Sequence, residues 1–152
     1  MKTLLCFTLL IVGLILLLPA PRVDVATVDG PIVSVVYDYL NRSIGVAEQA
    51  GANALIIQLN TPGGDVSTTL RIIQRCAASR VPIVVYVTPR RAQAASAGSI
   101  ITLGAHLNAM SPETVIGAAT PISGSGENLL SDERAKAIND LVATMRTLTR
   151  NR

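Results

Sequence analysis

Ser96 stands in a run of small residues, Ala92-Gln93-Ala94-Ala95-Ser96-Ala97-Gly98-Ser99, that leads into Ile100-Ile101-Thr102-Leu103-Gly104. A helix beginning near Ser96 points its first amides and positive dipole end at that serine. Two readings follow. Ser96 is an N-cap that bonds the amides of its own first turn, or it is a nucleophile that needs a base and an oxyanion site elsewhere. Counting finds a base: beyond the amino-terminal segment the chain has eleven arginines and one lysine, Lys136. Arginine keeps its proton in proteins, whereas a desolvated lysine can act as a neutral amine. The one histidine, His106, falls ten positions after Ser96 at the far end of the same predicted helix. At about 1.5 Å per residue that is roughly 15 Å, outside hydrogen-bond reach. A Ser-Lys dyad is the chemistry left.

An oxyanion site has its own candidate in Asn60-Thr61-Pro62-Gly63-Gly64-Asp65. Two glycines between a strand and a helix leave backbone amides bare and free to take unusual dihedrals, as an oxyanion hole demands. The plainer alternative is a tight turn with Asp65 capping the next helix. In an open parallel sheet, the Gly63-Gly64 connection and Ser96 emerge at the same carboxyl edge, where ligands bind.

The elements that must position these residues are legible in chain order. Val23 to Val28 alternates as a strand and breaks at Asp29-Gly30-Pro31. Ile32, Val36, Leu40, Ile44 and Ala47 recur at helical spacing, and Gly51 supplies the stop. Ala54 to Leu59 and Ile83 to Val87 are short continuous apolar runs, expected as strands buried on both faces. Between them a helix from Val66 to Ser79 is expected to present Val66, Leu70, Ile73 and Ala77 on one side. His106 to Met110 and Thr114 to Ala119 read as further extended pieces, with His106 structural. Pro121 to Asn128 is a Gly- and Ser-rich loop, and a last helix after Ser131 carries Ile138, Val142, Met145 and Thr149 on its apolar side. Lys136 projects opposite Ile138. From that helix alone it is a solvated residue; as a base it must look into a cleft. The chain stops at Arg150-Asn151-Arg152 with no cap or returning strand and reads as truncated.

An apolar fraction of 49 % is ample for one core and argues against a disordered chain. Aromatic residues are 3 % with no Trp, and the arginines are scattered among acids at a net charge of +3, so no nucleic-acid footprint exists. Lys2 followed by the apolar run Thr3 to Leu18 and Pro19-Ala20-Pro21 reads as a signal peptide or signal anchor over residues 1–20. Either fate exports the domain. Cys6 lies in that segment and Cys76 is alone in the remainder, which leaves no disulfide framework, metal cluster or thiol catalyst; no cofactor is implied.

Taken together, Asn60-Thr61-Pro62-Gly63-Gly64, Ala94-Ala95-Ser96-Ala97-Gly98, Leu103-Gly104-Ala105-His106-Leu107 and a lysine about forty residues beyond the serine resemble the NfeD-type membrane-bound serine proteases of the ClpP class, whose genes lie beside those of stomatin-like proteins. The resemblance implies an α/β fold of the ClpP/crotonase type, a spiral of β-β-α units with a largely parallel sheet, over residues 23–152. It implies Ser96 as nucleophile, Lys136 as base, and the amides of Gly63, Gly64 and Ala97 at the oxyanion. It further implies an extracytoplasmic, membrane-associated endopeptidase that cleaves apolar peptide segments, with a stomatin-like partner as substrate, and a homodimer where the domain is complete. In soluble ClpP peptidases a histidine follows the serine by about two dozen residues; Thr120 and Pro121 stand there in this chain, in keeping with the Ser-Lys branch. Two other functions remain open: an idle membrane-anchored scaffold, and a crotonase-like acyl-thioester enzyme that shares the oxyanion amides without needing a serine at 96.

Overall fold

The computed structural model describes residues 20–117 and six later positions, Lys136, Asn139, Asp140, Ala143, Arg146 and Thr147. Along residues 20–117 the order is β1 (Val23–Asp29), α1 (Ser34–Gln49), β2 (Ala54–Asn60), α2 (Val66–Ala77), β3 (Ile83–Val87), β4 (Gln93–Ala95), α3 (Ala97–Gly104), β5 (Leu107–Met110) and β6 (Val115–Gly117). The apolar stripe expected of α1 is the one it buries, through Leu40, Ile44 and Ala47, with Val36 packed beside them and Ile32 buried ahead of the helix. Full burial of each Leu or Ile contributes roughly 1.5–3 kcal/mol. Gly51 ends α1 as expected. At φ 63° it lets the Ala52 amide reach the Ala47 carbonyl (2.9 Å) while its own amide bonds Glu48 (3.3 Å), the paired bonds of a Schellman stop.

Four strands form one parallel sheet in the order β1-β2-β3-β5. The strands near Val25, Ile56 and Val84 lie side by side and parallel, as the alternation of strand-like runs with helices predicts, and these three residues pair in register. A strand order that never reverses, joined by right-handed connections, sends every helix to the same face. α1 packs on β1 and β2, α3 on β3, and α2 lies between α1 and α3. This corrects the expectation of strands buried on both faces. Leu55, Ile57 and Leu59 of β2 are buried and alternate with half-buried Ile56 and Gln58, and β3 does the same. On the far face, Val25 is 57 % exposed and Leu107 62 %.

The buried side of α2 is also not the one its apolar residues predict. Thr68, Thr69, Ile72, Ile73 and Cys76 are buried, Leu70 is only partly so, and Val66 and Ala77 are exposed. The reason is local: Thr69 Oγ1 donates to the Asp65 carbonyl (2.7 Å), so the hydroxyl is satisfied and the methyl can enter the core. Between α1 and α2, the Arg75 guanidinium pairs with Glu48 (2.8 Å) and holds that carboxyl below its ordinary range, and Arg71 lies 3.8 Å over the Tyr37 ring. Cys76 is a core residue, as its isolation implies, and burial pushes its thiol up to about 12.

Two short strands form a second parallel sheet: β6, within the extended piece expected from Thr114 to Ala119, and β4, where the sequence predicts no strand. It joins the first at the carboxyl edge through the bridge between Thr61 and Ala94. At the opposite, amino edge, Asn53 and Arg22 exchange bonds (2.7 and 2.9 Å), and His106 does the same with Ile83. The apolar run at residues 3–18 and the Gly/Ser loop at residues 121–128 lie outside the described residues, as do Ile138, Val142, Met145 and Thr149. The six later positions are all helical and exposed. No described helix is long and apolar enough to cross a membrane.

Candidate active site

Ser96 is the single residue between β4 and α3, and its backbone is turned to φ 49°, ψ −113°. Positive φ is uncommon in any residue but glycine, and this ψ lies outside the left-handed helical well, so the position carries about 1–3 kcal/mol of strain. The surroundings impose it. The Ser96 amide donates to Gly117 (2.9 Å) and the Ala95 amide to Thr61 (3.0 Å), while the Ser96 carbonyl accepts Ser99 Oγ (2.6 Å) and the Ser99 amide (3.0 Å). Of the two readings open for this serine, the cap fails: its side chain makes no capping bond to α3. A strained serine on a sharp strand-to-helix turn is the arrangement by which hydrolases lift a nucleophile clear of the backbone.

Beside it lies the Gly-Gly turn. Gly63 has φ 122°, and a Cβ there would stand 2.7 Å from Ser96 Cβ and 3.3 Å from its Oγ. Only hydrogen at this position lets the two backbones approach so closely. Gly64 is clamped from behind by Ile32, whose amide donates to Gly63 (2.8 Å) and whose carbonyl accepts Asp65 (2.9 Å). A Cβ at Gly64 would meet the Ile32 carbonyl oxygen at 2.1 Å. The amides differ in availability. Gly63 donates to Thr61 Oγ1 (3.1 Å) and is buried, whereas Gly64 is exposed. Among the described residues nothing accepts the Gly64 or Ala97 amide.

Asp65 caps α2, as the plainer reading of this turn requires. Its carboxylate accepts the Thr68 amide (2.6 Å) and Ser67 Oγ (2.7 Å), and these bonds hold it down to about 2 from an ordinary 3.8. Because the folded value lies below the unfolded one, the contribution is complete above pH 4 or so and is lost as pH falls through about 2. Asp65→Ala is therefore expected to cost about 1 kcal/mol at neutral pH and progressively less in acid. Paired denaturant titrations at pH 7 and pH 2.5 check the difference.

α3 sits close enough to make this constellation only because Gly98 has no side chain. A Cβ there would be 2.5 Å from Thr61 Cγ2 and 3.3 Å from Ala94 Cβ. Gly98→Ala is expected to destabilise by about 1–3 kcal/mol through overpacking. Thermal melts beside wild type test this.

The structure thus brings Gly63, Gly64, Ser96 and Ala97 together at the carboxyl edge. It holds His106 at the other edge, where Nδ1 accepts the Ile83 amide (3.1 Å), the structural role expected of it. Lys136 is helical and exposed, and among the described residues no hydrogen bond joins it to Ser96. Sequence reasoning missed Thr61, Ile32 and Ser99, which support the turn and the serine. The only signal for Thr61 was its place in the Asn60 to Gly64 motif.

Residues 22–151 match the family model described as NfeD1b, N-terminal domain. Membrane-bound protease PH1510 of Pyrococcus horikoshii is 44 % identical over 127 residues, which are 83 % of this chain and 29 % of that protein. Membrane protein NfeD1b of Bacillus subtilis is 34 % identical over 100 residues, 66 % of this chain and 22 % of its own. The chain therefore spans less than a third of the length of these relatives. Among solved structures, a serine-to-alanine mutant of the membrane-bound stomatin-specific protease 1510-N superposes with a TM-score of 0.79 at 40 % identity, over 88 % of this chain and 65 % of that one. A lysine-to-alanine mutant of 1510-N in complex with a substrate peptide gives 0.79 at 41 %, over 86 % and 60 %. The fold described above is that of the 1510-N protease, and the chain belongs to the NfeD1b N-terminal domain family.

Proposed function

We propose that the chain is the protease domain of a membrane-associated serine endopeptidase with a Ser96–Lys136 dyad, acting on apolar peptide segments of a stomatin-like partner. The observation that carries this reading is Ser96 itself, strained, uncapped and placed beside two amides that nothing accepts among the described residues. Relatives support it, since 1510-N is named stomatin-specific and the residues replaced in its two mutants are a serine and a lysine. The ClpP/crotonase-type spiral is supported by the succession β3-β4-α3 then β5-β6, with long strands in one sheet and short strands in the other. Residues 1–20 serve as the membrane or export segment and residues 23–152 as the extracytoplasmic domain, in accord with relatives named as a membrane-bound protease and a membrane protein.

In the reaction, unprotonated Lys136 Nζ takes the Ser96 hydroxyl proton as Oγ attacks the peptide carbonyl carbon. The carbonyl oxygen gains the charge and accepts the amides of Gly64 and Ala97, while Gly63 lines the hole by leaving Ser96 room. The tetrahedral adduct collapses, the C–N bond breaks, and Lys136 returns the proton to the leaving amine. Water, deprotonated by Lys136, then attacks the acyl ester; the acyl C–Oγ bond breaks, the peptide leaves as its carboxylic acid, and Lys136 returns the proton to Ser96 Oγ.

A fluorophosphonate probe, which traps an activated serine, is expected to label wild-type protein and not Ser96→Ala. Equal labelling of both, or none of either, overturns the proposal. Absence of labelling would favour the idle scaffold instead, a reading that draws on the exposed position of Lys136.

A further inference from the structure

We propose that Thr61 is a positioning residue that holds the oxyanion amides and the nucleophile in one frame; the inference rests on the peptidase reading of Ser96. Thr61 is a polar residue with 0 % exposure, and three of its parts touch three parts of the site. Its Oγ1 accepts the Gly63 amide (3.1 Å) and donates to the Gly63 carbonyl (3.2 Å), fixing the turn that presents Gly64. Its main chain holds the strand that ends at Ser96, with its amide on Gln93 (2.7 Å) and its carbonyl on the Ala95 amide (3.0 Å). Its Cγ2 fills the space over Gly98, in the first turn after Ser96. Ile32 also clamps the Gly-Gly turn, but its bonds do not reach the serine's segment.

Core filling alone does not account for the hydroxyl, because valine fills the same volume. Valine would, however, leave the buried Gly63 amide without an acceptor, and a buried donor in that state drives the turn to rearrange. A rearranged Gly63 moves the Gly64 amide bonded to it and sets a second donor competing for the oxyanion. The hydroxyl therefore selects which amide faces the substrate. The methyl sets the distance to α3.

These two parts can be separated. Thr61→Val keeps the packing and removes the hydroxyl; Thr61→Ser keeps the hydroxyl and removes the methyl. Cleavage of a peptide substrate by the full chain is expected to show kcat down about 10- to 100-fold in Thr61→Val, short of the roughly 10²- to 10³-fold of a deleted oxyanion donor because the Gly64 amide is displaced rather than removed, with KM within about threefold. Thr61→Ser is expected to stay within about fivefold of wild-type kcat despite melting at lower temperature than wild type. A structural role alone would make activity follow stability, so wild-type kcat in Thr61→Val, or equal losses in both variants, overturns the inference. Ser96→Ala run in parallel separates the two failures. If wild type cleaves no faster than Ser96→Ala, the peptidase reading has failed, and nitrogen-15 NMR of the same proteins decides on Thr61. Displacement of the Gly64 and Ala97 amide signals in Thr61→Val and their return in Thr61→Ser supports it; unmoved signals overturn it.

Discussion

Ser96→Ala is expected to lower peptide cleavage by about 10⁴-fold or more, the loss seen when a nucleophile that acts as one unit with its base is removed. Folding should not suffer. The serine side chain makes no capping bond to its helix, and alanine bears the same strain at φ 49°. Ser96→Gly separates chemistry from conformation more sharply. It is equally inactive, yet glycine adopts positive φ freely, so the protein is expected to gain about 1 kcal/mol of stability despite the greater flexibility of its unfolded chain. Denaturant titration with m held constant measures the gain. A Ser96→Gly protein less stable than Ser96→Ala would show that the strain assigned to this turn does not exist.

Lys136→Arg is expected to match Ser96→Ala in lost activity while folding normally, because it keeps the positive charge and removes only the ability to deprotonate. The double variant should lose little beyond either single one, since two groups that move one proton do not contribute additively. In the isolated chain Lys136 is exposed on its helix, so the productive contact of about 3 Å has to form with substrate in place, as catalytic contacts often do. Steady-state cleavage by the three variants decides the matter: wild-type rates from Lys136→Arg would remove the lysine from the mechanism and leave Ser96 needing another base.

What the sequence reveals and what it hides follow from the range of the forces involved. Leu40, Ile44 and Ala47 could be read because helical periodicity is local, and so could Gly51, whose φ of 63° suits glycine. That the strands near Val25, Ile56 and Val84 lie side by side and parallel could be read from their strand-like runs alternating with helices. The buried side of α2 could not be read, because it turns on a hydroxyl of Thr69 reaching the Asp65 carbonyl, which makes a polar residue behave as an apolar one. Burial of the far sheet face depends on strand order, which no single run encodes. At the site, the residue types were legible but the donors were not. Gly63 and Gly64 look alike in sequence, and only the folded chain shows that one amide is taken by the Thr61 hydroxyl while the other has no acceptor among the described residues.

All four strands of the main sheet run the same way, so the entry of β1 and the Ser96 turn stand at opposite ends of the molecule. A seven-residue strand such as β2 spans about 20 Å at roughly 3.3 Å per residue. Under the proposed attachment through residues 1–20, the domain then works as a ruler. In that arrangement the bilayer would lie below the amino edge, and the serine would be held about a strand's length above it. A bond still sunk in lipid is beyond reach, whereas one carried out on a tether of about six extended residues comes level with the nucleophile. Selection among membrane-borne substrates would rest first on how far a segment protrudes, and only then on which side chains flank the bond.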